Sequence, residues 1–224
     1  MWVCSCAGRA VVETESCIEL TIFLPSSSLP SPGFDLRVYT IYSDDAGITW
    51  QQGSFLPPPY SALEATIAEL RNGSLVASFR LGQLRNASDL CEEGEVCHAF
   101  ARSDDGGQSW TDKWAVPLAE LPVHRCQAAL IGAADGSTLY LGAPMNMTTG
   151  DRTNYTIYSS SDGGRSWGWL TGVLEGVPAG YSDMVLMDGG KTIAVGMQRG
   201  HDLPHVVGGG YDIAFTRVEL AGAT

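Results

Sequence analysis

One eight-residue pattern recurs three times and limits the fold more than any other feature of the chain. It reads SDDAGITW at Ser43–Trp50, SDDGGQSW at Ser103–Trp110 and SSDGGRSW at Ser160–Trp167. All three copies fit S-x-D-x-G-x-[ST]-W, and their starts lie 60 and 57 residues apart. Five fixed positions at nearly even spacing mark a repeat architecture. Each copy reads as the turn of a β-hairpin. Asp and Gly supply the side-chain-to-backbone hydrogen bonds and the positive φ of a tight turn. The Ser before the turn and the Ser or Thr after it bond across it, and the Trp opens the return strand and buries its ring between layers. The box aspartates are therefore turn-formers. The D-D-x-G run resembles a calcium loop, but no Glu follows at ligand spacing, and no metal site is expected.

A second kind of hairpin alternates with the boxes. ALEATIAEL and LVASFRL flank the turn RNGS, RCQAALIGA and TLYLGAPM flank ADGS, and YSDMVLM and KTIAVGMQ flank DGG. Asn-Gly between two β-rich runs is a strong hairpin signal. One hairpin of each kind makes a four-stranded unit of roughly sixty residues, the size of a propeller blade. The expected fold is all-β: an incomplete β-propeller with about three to four blades, a β-sandwich being the plainer alternative. Residues 1–33 are expected to form an irregular segment or partial blade, with GRAVV and CIELTIFL as strand candidates and a Ser/Pro-rich loop at Pro25–Gly33. Residues 34–224 are expected to carry the propeller portion.

The net charge of −12 argues against nucleic acid as a partner. No apolar run is long enough to cross a membrane, and the N-terminal residues do not read as a signal peptide. The four sequons at Asn72, Asn86, Asn146 and Asn154 permit a secretory route, so the compartment stays open. None of the six cysteines forms a C-x-x-C pair; Cys91 and Cys97 flank EEGEV and are spaced for a small disulfide loop.

In a propeller the first strand of each blade starts near the axis, so functional residues converge there from several blades. Aligning the three second-type hairpins on their turn glycines puts Glu64, Cys126-Gln127 and Tyr181 at equivalent strand starts. One carboxylate, one polar pair and one phenol would then face a common pocket. Taken singly, Glu64 reads as an exposed charge and Tyr181 as a packing residue.

From Arg37 to Leu220 the chain resembles the C-terminal half of the exo-sialidases (neuraminidases), whose repeats are called Asp boxes or BNR repeats. LEATIAELRNGSLVASFR resembles the family's segment with a catalytic Glu, here Glu64, and an arginine of the carboxylate-binding triad, here Arg80. DRTNYTIYSSSDGGRSW resembles the segment led by the last triad arginine, here Arg152, and AGYSDMVLMDGGKTIAV the segment with the nucleophilic tyrosine, here Tyr181. The resemblance implies a six-bladed fold and retaining hydrolysis of terminal sialic acid, or a related 2-keto acid, from a sialylated glycoconjugate or oligosaccharide, with no cofactor. Arg80 and Arg152 would clamp the substrate carboxylate through charge-assisted hydrogen bonds. A neutral phenol can approach that anion where a carboxylate nucleophile would be repelled, and Glu64 would take its proton. A tyrosine nucleophile is a known exception to the paired-carboxylate rule for glycosidases.

The sequence departs from the family pattern at three points. Neither Arg9 nor Arg37 lies in the context of the first triad arginine, and no residue takes the role of the Asp general acid. Gln198 stands where the family often has an acidic residue, and residues 1–33 match nothing well. These departures keep a second expectation in play, a non-catalytic Asp-box propeller that binds glycans or proteins.

Overall fold

The computed structural model describes residues 17–20, 38–45, 47–56, 62–81, 97–123, 126–146, 152–200 and 211–220. GRAVV, the Pro25–Gly33 loop, Cys91 and Asn86 lie outside the described residues. The described residues form four antiparallel sheets. The first holds β1 (Cys17–Leu20), β2 (Tyr39–Ser43) and β3 (Gln51–Phe55). The second holds β4 (Ala62–Glu69), β5 (Leu75–Leu81), β6 (Cys97–Ser103) and β7 (Asp112–Pro117) in that order. The third runs from β8 (Ala129–Gly132) through β9 (Leu139–Pro144) and β10 (Tyr155–Ser160) to β11 (Gly168–Gly172). The fourth holds β12 (Ala179–Met187), β13 (Thr192–Gly200) and β14 (Tyr211–Glu219).

The middle two sheets are complete four-stranded meanders, each a second-type hairpin followed by an Asp-box hairpin. By strand role the first sheet supplies the second to fourth strands of such a unit, and the fourth sheet the first to third. The fold is a β-propeller portion with four blades represented. Blade 1 is β1–β3, blade 2 β4–β7, blade 3 β8–β11 and blade 4 β12–β14. The inner strands neighbour one another in order, β4 beside β8 and β8 beside β12.

Strand alternation explains how the blades stack. Along β5, Leu75, Ala77 and Phe79 point toward blade 1 and share a core with Val38 and Leu56. Val76 points the other way, into the core between blades 2 and 3 with Leu130, Leu139 and Leu141. Tyr155, Ile157, Met184, Ile193 and Met197 fill the space between blades 3 and 4. The first three strands of blades 2 and 3 thus each feed two cores, and each buried large apolar side chain contributes roughly 1.5–3 kcal/mol.

The boxes fold alike. In box three, Ser160 Oγ donates to Asp162 Oδ1 at 2.7 Å and accepts from Gly164 N at 2.8 Å. Asp162 also accepts from Ser166 N at 3.0 Å and Ser166 Oγ at 2.6 Å. The same four bonds recur around Ser43–Asp45 and Ser103–Asp105. Both hydroxyls bond across the turn as expected, and they share the Asp between them as partner. The fifth position is Gly because φ is +85°, +85° and +90° at Gly47, Gly107 and Gly164.

The second and third boxes also dock on the preceding blade. Thr40 Oγ1 donates to Gly107 O at 2.9 Å, and Ser54 Oγ bonds Gln108 O. One blade on, Trp114 Nε1 donates to Gly164 O at 2.8 Å, Asp112 pairs with Arg165, and the Arg165 guanidinium lies 3.8 Å over the Trp114 ring. The box tryptophan sits at this joint. Trp110 packs between blades 1 and 2, and Trp167 packs between blades 2 and 3, where Phe100 stacks against it at 5.5 Å. Trp50 breaks the expectation of burial. No described sheet covers that side of blade 1, and the residue stays 41 % exposed.

Candidate active site

The inner strands bring the sequence-nominated residues together. Glu64 lies on β4 of blade 2, Arg80 on β5 beside it, Arg152 in the segment entering β10 of blade 3, and Tyr181 on β12 of blade 4. The Tyr181 hydroxyl donates to Glu64 Oε1 at 2.5 Å, across 117 residues of sequence. Arg80 Nη1 donates to both Glu64 oxygens, at 3.3 and 3.1 Å. The Arg152 guanidinium carbon lies 5.9 Å from the Tyr181 ring centroid.

Two irregularities explain the placement. Ala62 pairs with Leu81 but Ala65 with Phe79, so β4 carries one extra residue at Leu63–Glu64. Ala179 pairs with Arg199 but Ser182 with Met197, so β12 carries one at Gly180–Tyr181. A bulge re-aims the side chain it contains and ends regular pairing. Glu64 and Tyr181 thus occupy matching bulges on blades 2 and 4 and reach past blade 3 to meet.

The cluster is partly shielded. Glu64 and Arg80 side chains are 13 % and 22 % exposed, so Glu64 is not the exposed charge that its position in the sequence suggests. Arg80 Nε is buried and has no hydrogen-bond partner among the described residues. Burial, the hydrogen bond to Glu64 and the negative charge of Glu64 push the Tyr181 phenol up to about 12, against the pull of Arg152. The phenol is protonated throughout the neutral range and ionises only as a base removes its proton. Cys126 is buried nearby with a free thiol, and burial pushes it up to about 11. It is an uncharged wall and not a thiolate nucleophile.

Two further residues act where the sequence carries little signal. Cys126 and Gln127 precede β8 and do not begin it, and Gln127 is turned away from solvent. Gln127 Nε2 donates to Ser182 O at 2.9 Å and its Oε1 accepts from Ser182 N at 3.0 Å, clamping blade 3 to β12. Tyr155, fully buried, donates to Ser182 Oγ at 2.9 Å. Only the equivalence of Cys126-Gln127 with Glu64 and Tyr181 had pointed here. Among the described residues, no group of three or more His, Cys, Asp or Glu is placed to hold a metal ion. Cys97 is disulfide-bonded. No described helix is long and apolar enough to cross a membrane.

Comparison with known proteins agrees with the propeller fold. The chain is 29 % identical over 185 residues to a sialidase of Vibrio cholerae, covering 72 % of this chain and 23 % of the relative. It thus spans about a quarter of that protein's length. The crystal structure of the NanB sialidase from Streptococcus pneumoniae matches with a TM-score of 0.58 at 19 % identity, over 87 % of this chain and 28 % of that one. The α-L-arabinanase of Penicillium chrysogenum matches with a TM-score of 0.60 at 12 % identity, over 91 % of this chain and 59 % of that one. These structural likenesses speak for the propeller fold alone. The profile of the BNR repeat-like domain matches residues 9–194. With three boxes in register, the matched profile and the sialidase relative, the chain belongs to the BNR-repeat family of sialidase-like proteins.

Proposed function

We propose that this chain carries the nucleophile half of an exo-sialidase-type site that hydrolyses terminal sialic acid, or a related 2-keto acid glycoside, with retention. The observation that carries the reading is the 2.5 Å hydrogen bond from the Tyr181 phenol to Glu64. Such a bond places a base on the proton that must leave as the phenol becomes a nucleophile.

Tyr181 Oη attacks the anomeric carbon, Glu64 accepts the phenol proton, and the bond from that carbon to the aglycone oxygen breaks. In the second step water attacks the tyrosyl glycoside, the bond to the phenol oxygen breaks and the departing phenolate recovers the proton from Glu64, while the proton that the water loses passes through solvent to the aglycone oxyanion released in the first step. Two displacements at one carbon return the original configuration. Arg152 lies beside the ring and Arg80 beside Glu64, so both guanidinium groups flank the place where a substrate carboxylate would sit. They also offset locally the repulsion that a chain of net charge −12 exerts on an anionic sugar.

The general acid is not among the residues assigned here, which decides the choice of substrate. An aryl sialoside releases a stable phenolate and needs little protonation, so it isolates the nucleophile half. Release of the fluorophore by the wild-type protein, its abolition in Tyr181→Phe, and a covalent adduct on Tyr181 with a fluorinated sialosyl fluoride are the expected results. Equal turnover by Tyr181→Phe overturns the assignment. Binding of free sialic acid without turnover, lost in Arg152→Ala, would instead mark a glycan-binding propeller.

A further inference from the structure

The backbone around Tyr181 is held by side chains at points where a regular strand would use its ladder. The extra residue on β12 falls at Gly180–Tyr181, where pairing with β13 is interrupted. The Tyr181 N–H donates to Oε1 of Gln198, at 3.1 Å. A backbone N–H only donates, so the amide oxygen is the atom that faces it. The flanking residues are fixed separately. Ala179 N donates to Arg152 O at 2.8 Å, and the Ser182 backbone is clamped by Gln127. Gln198 is thus the contact that fixes the amide of Tyr181 itself. Space around it is tight: a Cβ on Gly180 would lie 2.5 Å from Gln198 Oε1 and 3.2 Å from Gln198 Cβ.

We propose that Gln198 is a positioning residue for Tyr181, its side-chain oxygen holding the bulge that aims the phenol at Glu64. The inference rests on the reading of Tyr181 as nucleophile. It assigns Gln198 a use other than steadying an arginine, the use expected of an acidic residue at this place. An acceptor that orients a nucleophile acts on geometry, and a misplacement of about 1 Å can cost on the order of a hundredfold in rate. Substrate binding, carried by the guanidinium groups, is left largely intact.

The test measures kcat and KM on an aryl sialoside, and the rate of covalent labelling of Tyr181, for Gln198→Ala, Gln198→Met, Gln198→Glu and Gly180→Ala. Gln198→Met keeps the length without the acceptor; Gln198→Glu keeps the acceptor. Expected are losses in kcat of about tenfold to a hundredfold for Ala and Met with KM little changed, a parallel loss in labelling rate, and recovery by Glu. Gly180→Ala should lower kcat in the wild type and cost clearly less in the Gln198→Ala background, where the oxygen 2.5 Å from the added methyl is gone and only the 3.2 Å contact with the Cβ of residue 198 remains. If Tyr181→Phe is inactive while Gln198→Ala and Gln198→Met keep wild-type kcat, the positioning role is overturned alone. Additive losses from Gly180→Ala and Gln198→Ala overturn it too. An active Tyr181→Phe, or a wild-type protein without turnover, overturns the reading of the site and this inference with it.

Discussion

The Asp boxes and the Glu64–Tyr181 pair both join a carboxylate to a hydroxyl, and they do so to opposite ends. In each box the partners lie within four residues, and the hydroxyls of Ser43 and Thr49 saturate Asp45 from its own turn. Hydrogen bonds from Thr49 hold the Asp45 carboxyl down at about 2. This carboxylate is fixed in charge and position and has no proton to exchange. Glu64 meets its hydroxyl across 117 residues, in a partly shielded pocket where the phenol is pushed up to about 12. Local closure makes a structural joint; closure between blades makes the pair to which the proposed mechanism gives the proton transfer.

Removing a carboxylate from each region breaks the comparison most sharply. Glu64→Gln leaves no base for the phenol proton and should lower kcat on an aryl sialoside by about a hundred- to ten-thousand-fold. Asp105→Asn should leave kcat within about twofold, since it alters an exposed turn on the far side of the repeat. Comparable losses from both would mean that the boxes take part in the chemistry.

The box tryptophans test the joint between blades. Trp167 is 8 % exposed between blades 2 and 3, whereas Trp50 is 41 % exposed. Trp167→Ala should destabilise the protein by about 3–5 kcal/mol through the cavity it leaves. Trp50→Ala should cost less than about 1 kcal/mol. Chemical denaturation of both variants decides it, and equal losses would show that the shared motif fixes the ring's contribution regardless of its neighbours.

The same contrast explains what could be read from the sequence. Turns, strand order and blade units were legible because the signals are local: Asn72-Gly73, the positive-φ glycines of the boxes, and the alternation along LVASFRL. Glu64 and Tyr181 were legible through repeat register and family resemblance, which located them without their geometry. Their meeting depends on two one-residue bulges, and nothing in LEA or GYS announces a bulge. The clamp of Gln127 on Ser182 and the bond of Gln198 to Tyr181 were hidden for the same reason. A glutamine's partner is set by register between strands far apart in sequence.

Blade 2 holds a third pair, sealed from water. His98 Nε2 lies 2.7 Å from Ser78 Oγ, and the ring packs edge-on against Phe100 at 5.3 Å. Burial pushes the imidazole down to about 3, below its ordinary 6.5. Above pH 6.5 neither state takes up the proton. Below it the unfolded chain does and the native protein does not, so stability falls by roughly 1.4 kcal/mol per pH unit. Between pH 7.5 and 5.0 His98 should cost about 2 kcal/mol, and His98→Asn should flatten that slope. An unchanged slope would show that the Ser78–His98 pair opens to take its proton.

The smallest effect falls on the box itself. Asp162 accepts from Ser160 Oγ, Ser166 Oγ and the amides of Arg165 and Ser166. Partial burial pushes its carboxyl up, and the bonds from Ser166, Ser160 and Arg165 outweigh that and hold it at about 2. Asp162→Ala hands these donors to water, which a surface turn allows, so the loss should be about 1 kcal/mol, as for an N-cap residue. At this chain length that is a fall in Tm of roughly 2–4 °C. The depressed carboxyl fixes the sign of the pH dependence. Its contribution is present above the ordinary carboxylate range and fades as the pH falls from about 4 toward 2, so the gap between wild type and variant should narrow with acidification. A gap of constant size from pH 7 to pH 3 would trace the box's stability to packing at Trp167 and not to its carboxylate.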